Sequence, residues 1–143
     1  MASVQQVGIF YGWAAFADGA PKRCYAAAEP EGRRGSGAAA FVAFWPEKGN
    51  RARPSIRLRA DARPGSAILL TIGGNRFQLA ASGREAVASN PAADAAIVAA
   101  MRRNKAMTVT ARTLTGATIR DDYPLTGFPT ALDAAALACA QKH

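Results

Sequence analysis

The stretch that decides the fold is residues 67–80, AILLTIGGNRFQLA, in which two apolar segments flank the turn residues Gly73-Gly74-Asn75. Glycine allows the positive φ angles that tight hairpin turns require. We therefore predict strands over residues 67–72 and 76–80, paired as a β-hairpin. No other part of the chain gives as clear a local signal.

Upstream of this hairpin the chain is divided into short apolar segments by Gly and Pro residues. Segments of this length, separated by turn residues, are typical of strands. We predict strands over residues 9–16, 23–28 and 39–45, and a basic strand over 56–59. The first half of the chain is therefore expected to form a meander of β-strands.

Downstream, the pattern changes to helical spacing. Asn90-Pro91 opens the run AADAAIVAAMRRN, which has Asp94 in its first turn and Arg102 and Arg103 in its last, as the helix dipole favours. We predict an inserted helix over about 91–103, a second hairpin from strands 107–111 and 117–122, and a C-terminal helix over about 129–140. The fold class is therefore mainly β with two helices.

Composition limits the chain to one domain, residues 1–143. Half of the residues are hydrophobic, but 35 of them are Ala, so we expect a thin core. No apolar run reaches the roughly 18 to 20 residues of a membrane helix, so we predict no transmembrane segment. The start, MASVQQVG, lacks the features of an export leader. This fits either a cytosolic protein or a mature form from which a leader is absent.

The two cysteines, Cys24 and Cys139, stand near opposite ends of the sequence and match no CxxC spacing. A metal site is therefore not expected. A disulfide between them would restrict the unfolded chain, whereas two buried free thiols would act as small apolar side chains. The residues themselves leave both alternatives open.

Positive charge is concentrated in the middle of a chain whose net charge is +8. We call the following residues the basic stripe: Lys48, Arg51, Arg53, Arg57, Arg59 and Arg63. Apolar and basic residues alternate over 55–59, as on a strand with one face in the core and one in water. The stripe is therefore either an ordinary solvated face or a surface for an anionic membrane, polysaccharide or acidic protein partner.

Little in the sequence indicates catalysis. The single histidine is His143, the last residue, and the neighbouring carboxylates Asp121 and Asp122 would point to opposite faces of a strand. We therefore predict no enzyme, no catalytic residues and no cofactor. The aromatic residues are expected to fill the core rather than line a pocket; they are Phe10, Tyr11, Trp13, Tyr25, Phe41, Phe44 and Trp45.

Several segments together resemble one protein family. They include Gly12-Trp13, the segment 22–26, the run 97–102 with Met107-Thr108-Val109, and above all the C-terminal portion: Thr115-Gly116, residues 121–128 (DDYPLTGF), Ala131-Leu132 and Ala138-Cys139. In these features the chain resembles the invasion-associated locus B family, a group of alphaproteobacterial envelope proteins. The resemblance extends over residues 12–139.

The resemblance implies an immunoglobulin-like β-sandwich with an inserted helix. It also implies export to the periplasm or outer envelope, a Cys24–Cys139 disulfide, and no known catalytic activity. We therefore expect a binding module that presents the basic stripe to an anionic partner, with a link to host-cell invasion. The competing hypothesis is a cytosolic nucleic-acid binder with two free thiols, although the stripe lacks interleaved aromatic residues. The oligomeric state is left open.

Overall fold

The computed structural model describes residues 4–19, 22–49 and 51–140. In this part of the chain, ten strands and two helices follow one another. They are β1 Val4–Phe10, β2 Trp13–Gly19, β3 Lys22–Ala28, β4 Ala39–Phe44, β5 Arg53–Arg57, β6 Ile68–Ile72, β7 Asn75–Ser82, β8 Glu85–Val87, α1 Pro91–Arg103, β9 Ala106–Arg112, β10 Thr118–Pro124 and α2 Phe128–Ala140. Neither helix has the length and apolar character needed to cross a bilayer.

All ten strands join in one antiparallel sheet with the order β1-β2-β3-β4-β5-β8-β7-β6-β9-β10. Strand β7 connects the two halves of this sheet. Its residues 75–79 pair with β6, and its residues 80–82 pair with β8. A strand that changes partners along its length is a common way to turn a corner in a β fold.

The mainly-β class and both helices are confirmed, and so is the hairpin of β6 and β7, where Ile72 pairs with Asn75 across Gly73-Gly74. Helix α1 has its predicted bounds, and the Asn90 side chain accepts a hydrogen bond from the Ala93 amide at 2.8 Å. The immunoglobulin-like form of the sandwich stays a prediction, because the strand pairing joins a single sheet.

The prediction of one strand over residues 9–16 is wrong. Phe10 pairs with Trp13, and the chain reverses at Tyr11 and Gly12, whose φ angles are +51° and +86°. Positive φ at both central residues is the geometry of a two-residue hairpin turn. Residues 9–16 therefore form the end of β1, a turn and the start of β2.

Two further strands differ from the prediction. The basic strand, β5, begins at Arg53 and ends at Arg57, because residues 53–57 pair with residues 39–43 of β4. Strand β8, Glu85–Val87, was not predicted. It has only three residues and lies between β5 and β7, which supply its pairing partners.

Trp13 joins the two ends of the chain. Its indole Nε1 donates a hydrogen bond to the Pro124 carbonyl oxygen at 2.7 Å, and its ring meets the Phe128 ring edge-on with centroids 5.0 Å apart. Both rings are fully buried. The start of β2 is thereby held against the end of β10 and the start of α2.

Helix α2 packs against β1, β2 and β3, and a disulfide between Cys24 of β3 and Cys139 makes this contact covalent. The two Cα atoms are 5.9 Å apart, which is normal for a disulfide. In β3, Cys24, Ala26 and Ala28 are buried, whereas Arg23 and Tyr25 are partly exposed. The helix therefore covers one face of β3, and the opposite face carries Arg23 and Tyr25.

We predict that replacing both cysteines with Ala lowers the free energy of unfolding by about 4 to 5 kcal/mol, because the disulfide closes a loop of more than 100 residues. Urea unfolding of the wild type and the Cys24→Ala/Cys139→Ala variant measures the difference. Reduced wild type should match the double variant, and either single variant should lose nearly as much. An unchanged unfolding midpoint would contradict the prediction.

A second prediction concerns Gly127, whose φ is +88° and where an added Cβ would collide with the Phe10 carbonyl oxygen. Gly65 has a similar φ of +78° but open space around it, so it is a matched control. We expect Gly65→Ala to cost about 1 to 2 kcal/mol from the left-handed backbone alone. Gly127→Ala should cost at least twice as much in thermal unfolding. Equal losses would show that the close approach to β1 is unimportant.

Candidate functional site

The outer faces of β3, β4 and β5 form the floor of a groove of about 560 Å³, which we call the outer groove. Strand β8 and the first turn of α1 form its wall. The residues that line it are Arg23, Tyr25, Phe41, Ala43, Trp45, Arg53, Pro54, Ser55, Arg57, Glu85, Val87, Ala88 and Asp94. Its volume lies in the range of about 300 to 1,000 Å³ that is usual for ligand sites.

The groove is concave because of where the small side chains lie in the register. Ala43 stands between Tyr25 of β3 and Arg53 of β5, and Ser55 stands between Phe41 of β4 and Val87 of β8. Neighbouring side chains on one face of a sheet are close enough to touch. Two short side chains among long ones therefore leave a depression.

Each of the three groove arginines lies against an aromatic ring. The guanidinium carbon of Arg23 is 4.6 Å from the centre of the Tyr25 ring, that of Arg57 is 5.0 Å from Phe41, and that of Arg53 is 5.9 Å from Trp45. Such contacts contribute about 0.5 to 1 kcal/mol each at exposed sites. They hold the cations in place before a ligand arrives.

These arginines keep donor groups available. Within the described part of the chain, Arg53 and Arg57 form no ion pair, and Arg23 has only a long one, 3.4 Å to Asp18. A planar guanidinium with free N–H edges is suited to bind a carboxylate, phosphate or sulfate with two hydrogen bonds.

Two carboxylates also line the groove. Glu85 is exposed and lies opposite Arg57 in the pairing of β5 and β8. Asp94 of α1 is buried, and this burial raises its pKa above the ordinary value, although nearby Arg53 and Arg51 act in the opposite direction. The groove is therefore a mixed surface with anions next to its cations.

The structure divides the basic stripe. Arg53 and Arg57 line the outer groove, and Arg51 is near enough to Asp94 to affect its pKa. Lys48 is exposed at the end of a short 3-10 turn beside the groove residue Trp45. The other two stripe residues, Arg59 and Arg63, do not line the groove.

Arg59 has a different role, in an ion-pair cluster around Asp121. The Asp121 carboxylate is buried and accepts from Arg59 Nε at 3.0 Å, with Arg33 Nε at 3.4 Å. Its neighbour Asp122 is exposed and accepts a hydrogen bond from Thr108. The two carboxylates thus point to opposite faces, as predicted, but Asp121 is a structural group in contact with two arginines.

The expectation that the aromatic residues fill the core holds for only part of the set. Trp13 and Phe44 are buried, but Tyr11 is 81% exposed. Tyr25, Phe41 and Trp45 lie on the outer face and line the groove, so for them the prediction was wrong. The alternation in Arg23-Cys24-Tyr25-Ala26 indicates this placement, because a Cys24 side chain that faces the core requires Arg23 and Tyr25 to face outward.

Sequence reasoning also missed that Arg23, Ser55, Glu85 and Asp94 belong to one site. These residues come from β3, β5, β8 and α1, and only the order of the strands brings them together. His143 lies outside the described residues.

We predict that Asp94→Asn raises stability at neutral pH. Because the folded-state pKa of Asp94 is raised, its ionised form destabilises the fold, and this cost disappears as the carboxyl becomes protonated at lower pH. The variant should therefore unfold at a higher temperature than wild type near pH 7, and the difference should shrink to nothing below about pH 4. Calorimetry across this range tests it, with the exposed Glu31→Gln as control. A constant difference at every pH would contradict the prediction.

The comparisons with known proteins agree with the resemblance found in the sequence. No curated protein and no solved structure matches the chain. The sequence model of the family described as "Invasion associated locus B (IalB) protein" matches residues 13–136, which is most of the chain. This match begins at Trp13 and takes in the whole outer groove, β10 and most of α2. The chain therefore belongs to the invasion-associated locus B family.

Proposed function

We propose that this protein is a non-enzymatic binding module of the bacterial envelope, and that its outer groove holds the anionic groups of a partner. The observation that carries the proposal is the set of three arginines, each placed over an aromatic ring in one groove. An arginine keeps its charge at any physiological pH. Such groups hold anions firmly but do not exchange protons as catalytic acids and bases must.

Family membership and the disulfide support an exported, envelope-type protein. Disulfides persist in oxidising compartments and are rare in the cytosol. We also propose that the protein is located in the periplasm or at the outer envelope and that it has a role in contact with host cells. The competing hypothesis of a cytosolic nucleic-acid binder required two free thiols, whereas both cysteines are paired.

Only part of the basic stripe belongs to this proposed site. The residues that contact the anion are Arg53 and Arg57 of the stripe, together with Arg23, which is not part of it. Lys48 and Arg51 lie at the side of the groove and add long-range attraction, which salt screens over about 8 to 10 Å. Arg59 is neutralised by Asp121 and serves the fold.

We predict that Arg53→Gln/Arg57→Gln abolishes most binding to heparin and to anionic vesicles at low salt, because the donors that bind the anion are lost. The matched control is Arg76→Gln/Arg112→Gln, which removes the same charge from two exposed arginines outside the groove. Retention on heparin and co-sedimentation with phosphatidylglycerol vesicles are the measurements. The control should stay close to wild type. If both variants weaken equally, net charge rather than the groove accounts for binding.

A further inference from the structure

Two aromatic rings of the outer groove, Tyr25 and Phe41, have faces that are already covered by side chains. Tyr25 is stacked on Phe16, with centroids 5.0 Å apart and planes 23° from parallel, and it also carries the Arg23 guanidinium. These two partners cannot occupy the same face of the ring. Arg57 likewise covers Phe41. Nucleic-acid bases bind by stacking on free aromatic faces, so these two rings offer them little.

Each of two groove arginines has a carboxylate close by. Glu85 lies opposite Arg57, and Asp94 lies near enough to Arg53 for their charges to interact. Ser55, between the two arginines on β5, adds a hydroxyl group to the floor. A ligand that fills this groove must therefore present anionic oxygens to the guanidinium groups and hydrogen-bond donors to the carboxylates.

The position of Glu85 adds a second condition. Because Glu85 lies directly opposite Arg57, an anionic group bound at Arg57 has a carboxylate as its neighbour. A ligand that carries hydroxyl groups beside its acidic group can donate a hydrogen bond to this carboxylate, whereas a DNA phosphodiester has no such donor.

We propose that the outer groove binds an acidic polysaccharide. Acidic groups on separate sugar rings bind Arg53 and Arg57, with Arg23 available to a third, and a hydroxyl of the ring bound at Arg57 donates a hydrogen bond to Glu85. This inference rests on the proposed function, because it names the class of anion that the same groove takes.

The test compares two carboxylate polymers that differ in hydroxyl groups. Oligogalacturonate carries a carboxylate and hydroxyls on every ring, and oligoglutamate of equal carboxylate number has no hydroxyl. We expect wild type to bind oligogalacturonate more tightly than oligoglutamate or an oligo-dT of equal charge. Isothermal titration calorimetry at low salt gives the dissociation constants.

The decisive variant is Glu85→Met, which removes the acceptor oxygens and keeps the length of the side chain. It should weaken binding of oligogalacturonate by about five-fold, the value of one net hydrogen bond, although it removes a negative charge. The same variant should leave oligoglutamate binding unchanged or tighter, because only repulsion is lost. Glu31→Met, at an exposed glutamate outside the groove, is the matched control and should not reproduce this change of sign.

The outcomes separate the two proposals. If Glu85→Met tightens both polymers, or if oligo-dT binds as well as oligogalacturonate, the polysaccharide inference is overturned. The proposed function still stands in that case, provided that binding depends on Arg53 and Arg57. If none of the three probes, nor heparin, binds in a way that depends on these arginines, both proposals fail. Circular dichroism of each variant confirms that it is folded.

Discussion

The disulfide between Cys24 and Cys139 is the constraint on which the rest of the molecule depends. Because side chains alternate along a strand, a shift of one residue would exchange the two faces of β3 completely. A covalent bond from Cys24 to the buried side of α2 prevents that exchange. It therefore sets which face of β3 is covered by the helix and which one carries Arg23 and Tyr25 into the groove.

The buried core combines many alanines with large apolar side chains, which come from both parts of the sheet and from both helices. Trp13 and Phe128 meet where β2, β10 and α2 come together, and Ile68, Leu70 and Ile72 all lie on the buried face of β6. With these positions filled, several aromatic residues remain on the outer face of the sheet. The large side chains of the sheet are thus divided between the buried core and the outer groove.

Much of the fold could be predicted from sequence because its signals are local. Gly73-Gly74 sets a turn, and Asn90 caps a helix, through contacts within four residues. The turn at Tyr11-Gly12 was missed because Tyr rarely adopts positive φ and is common in strands. Strand β8 was missed because its pairing partners, rather than its three residues, make it a strand.

The candidate site was harder to predict because its parts are distant in sequence. The alternation of Arg57 and Leu58 gave the exposed face of β5 correctly, but it could not show that Arg59 has Asp121 as a partner more than 60 residues away. The alternation also could not show that Phe41 and Trp45 lie beside Arg57 and Arg53. Their proximity follows from the pairing of β4 with β5. The stripe lacks aromatic residues in its own sequence because they lie on β4 and directly after its end.

This arrangement also explains why a net charge of +8 is a poor guide to the partner. The excess charge attracts any polyanion from a distance, but salt weakens that attraction within about a Debye length. Selectivity depends on what lies next to each cation, and next to Arg57 the register places Glu85. A carboxylate there repels a bound anionic group that has no donor for it, and it accepts a hydrogen bond from a hydroxyl. The acidic residues of the groove, rather than its arginines, therefore decide which anion fits.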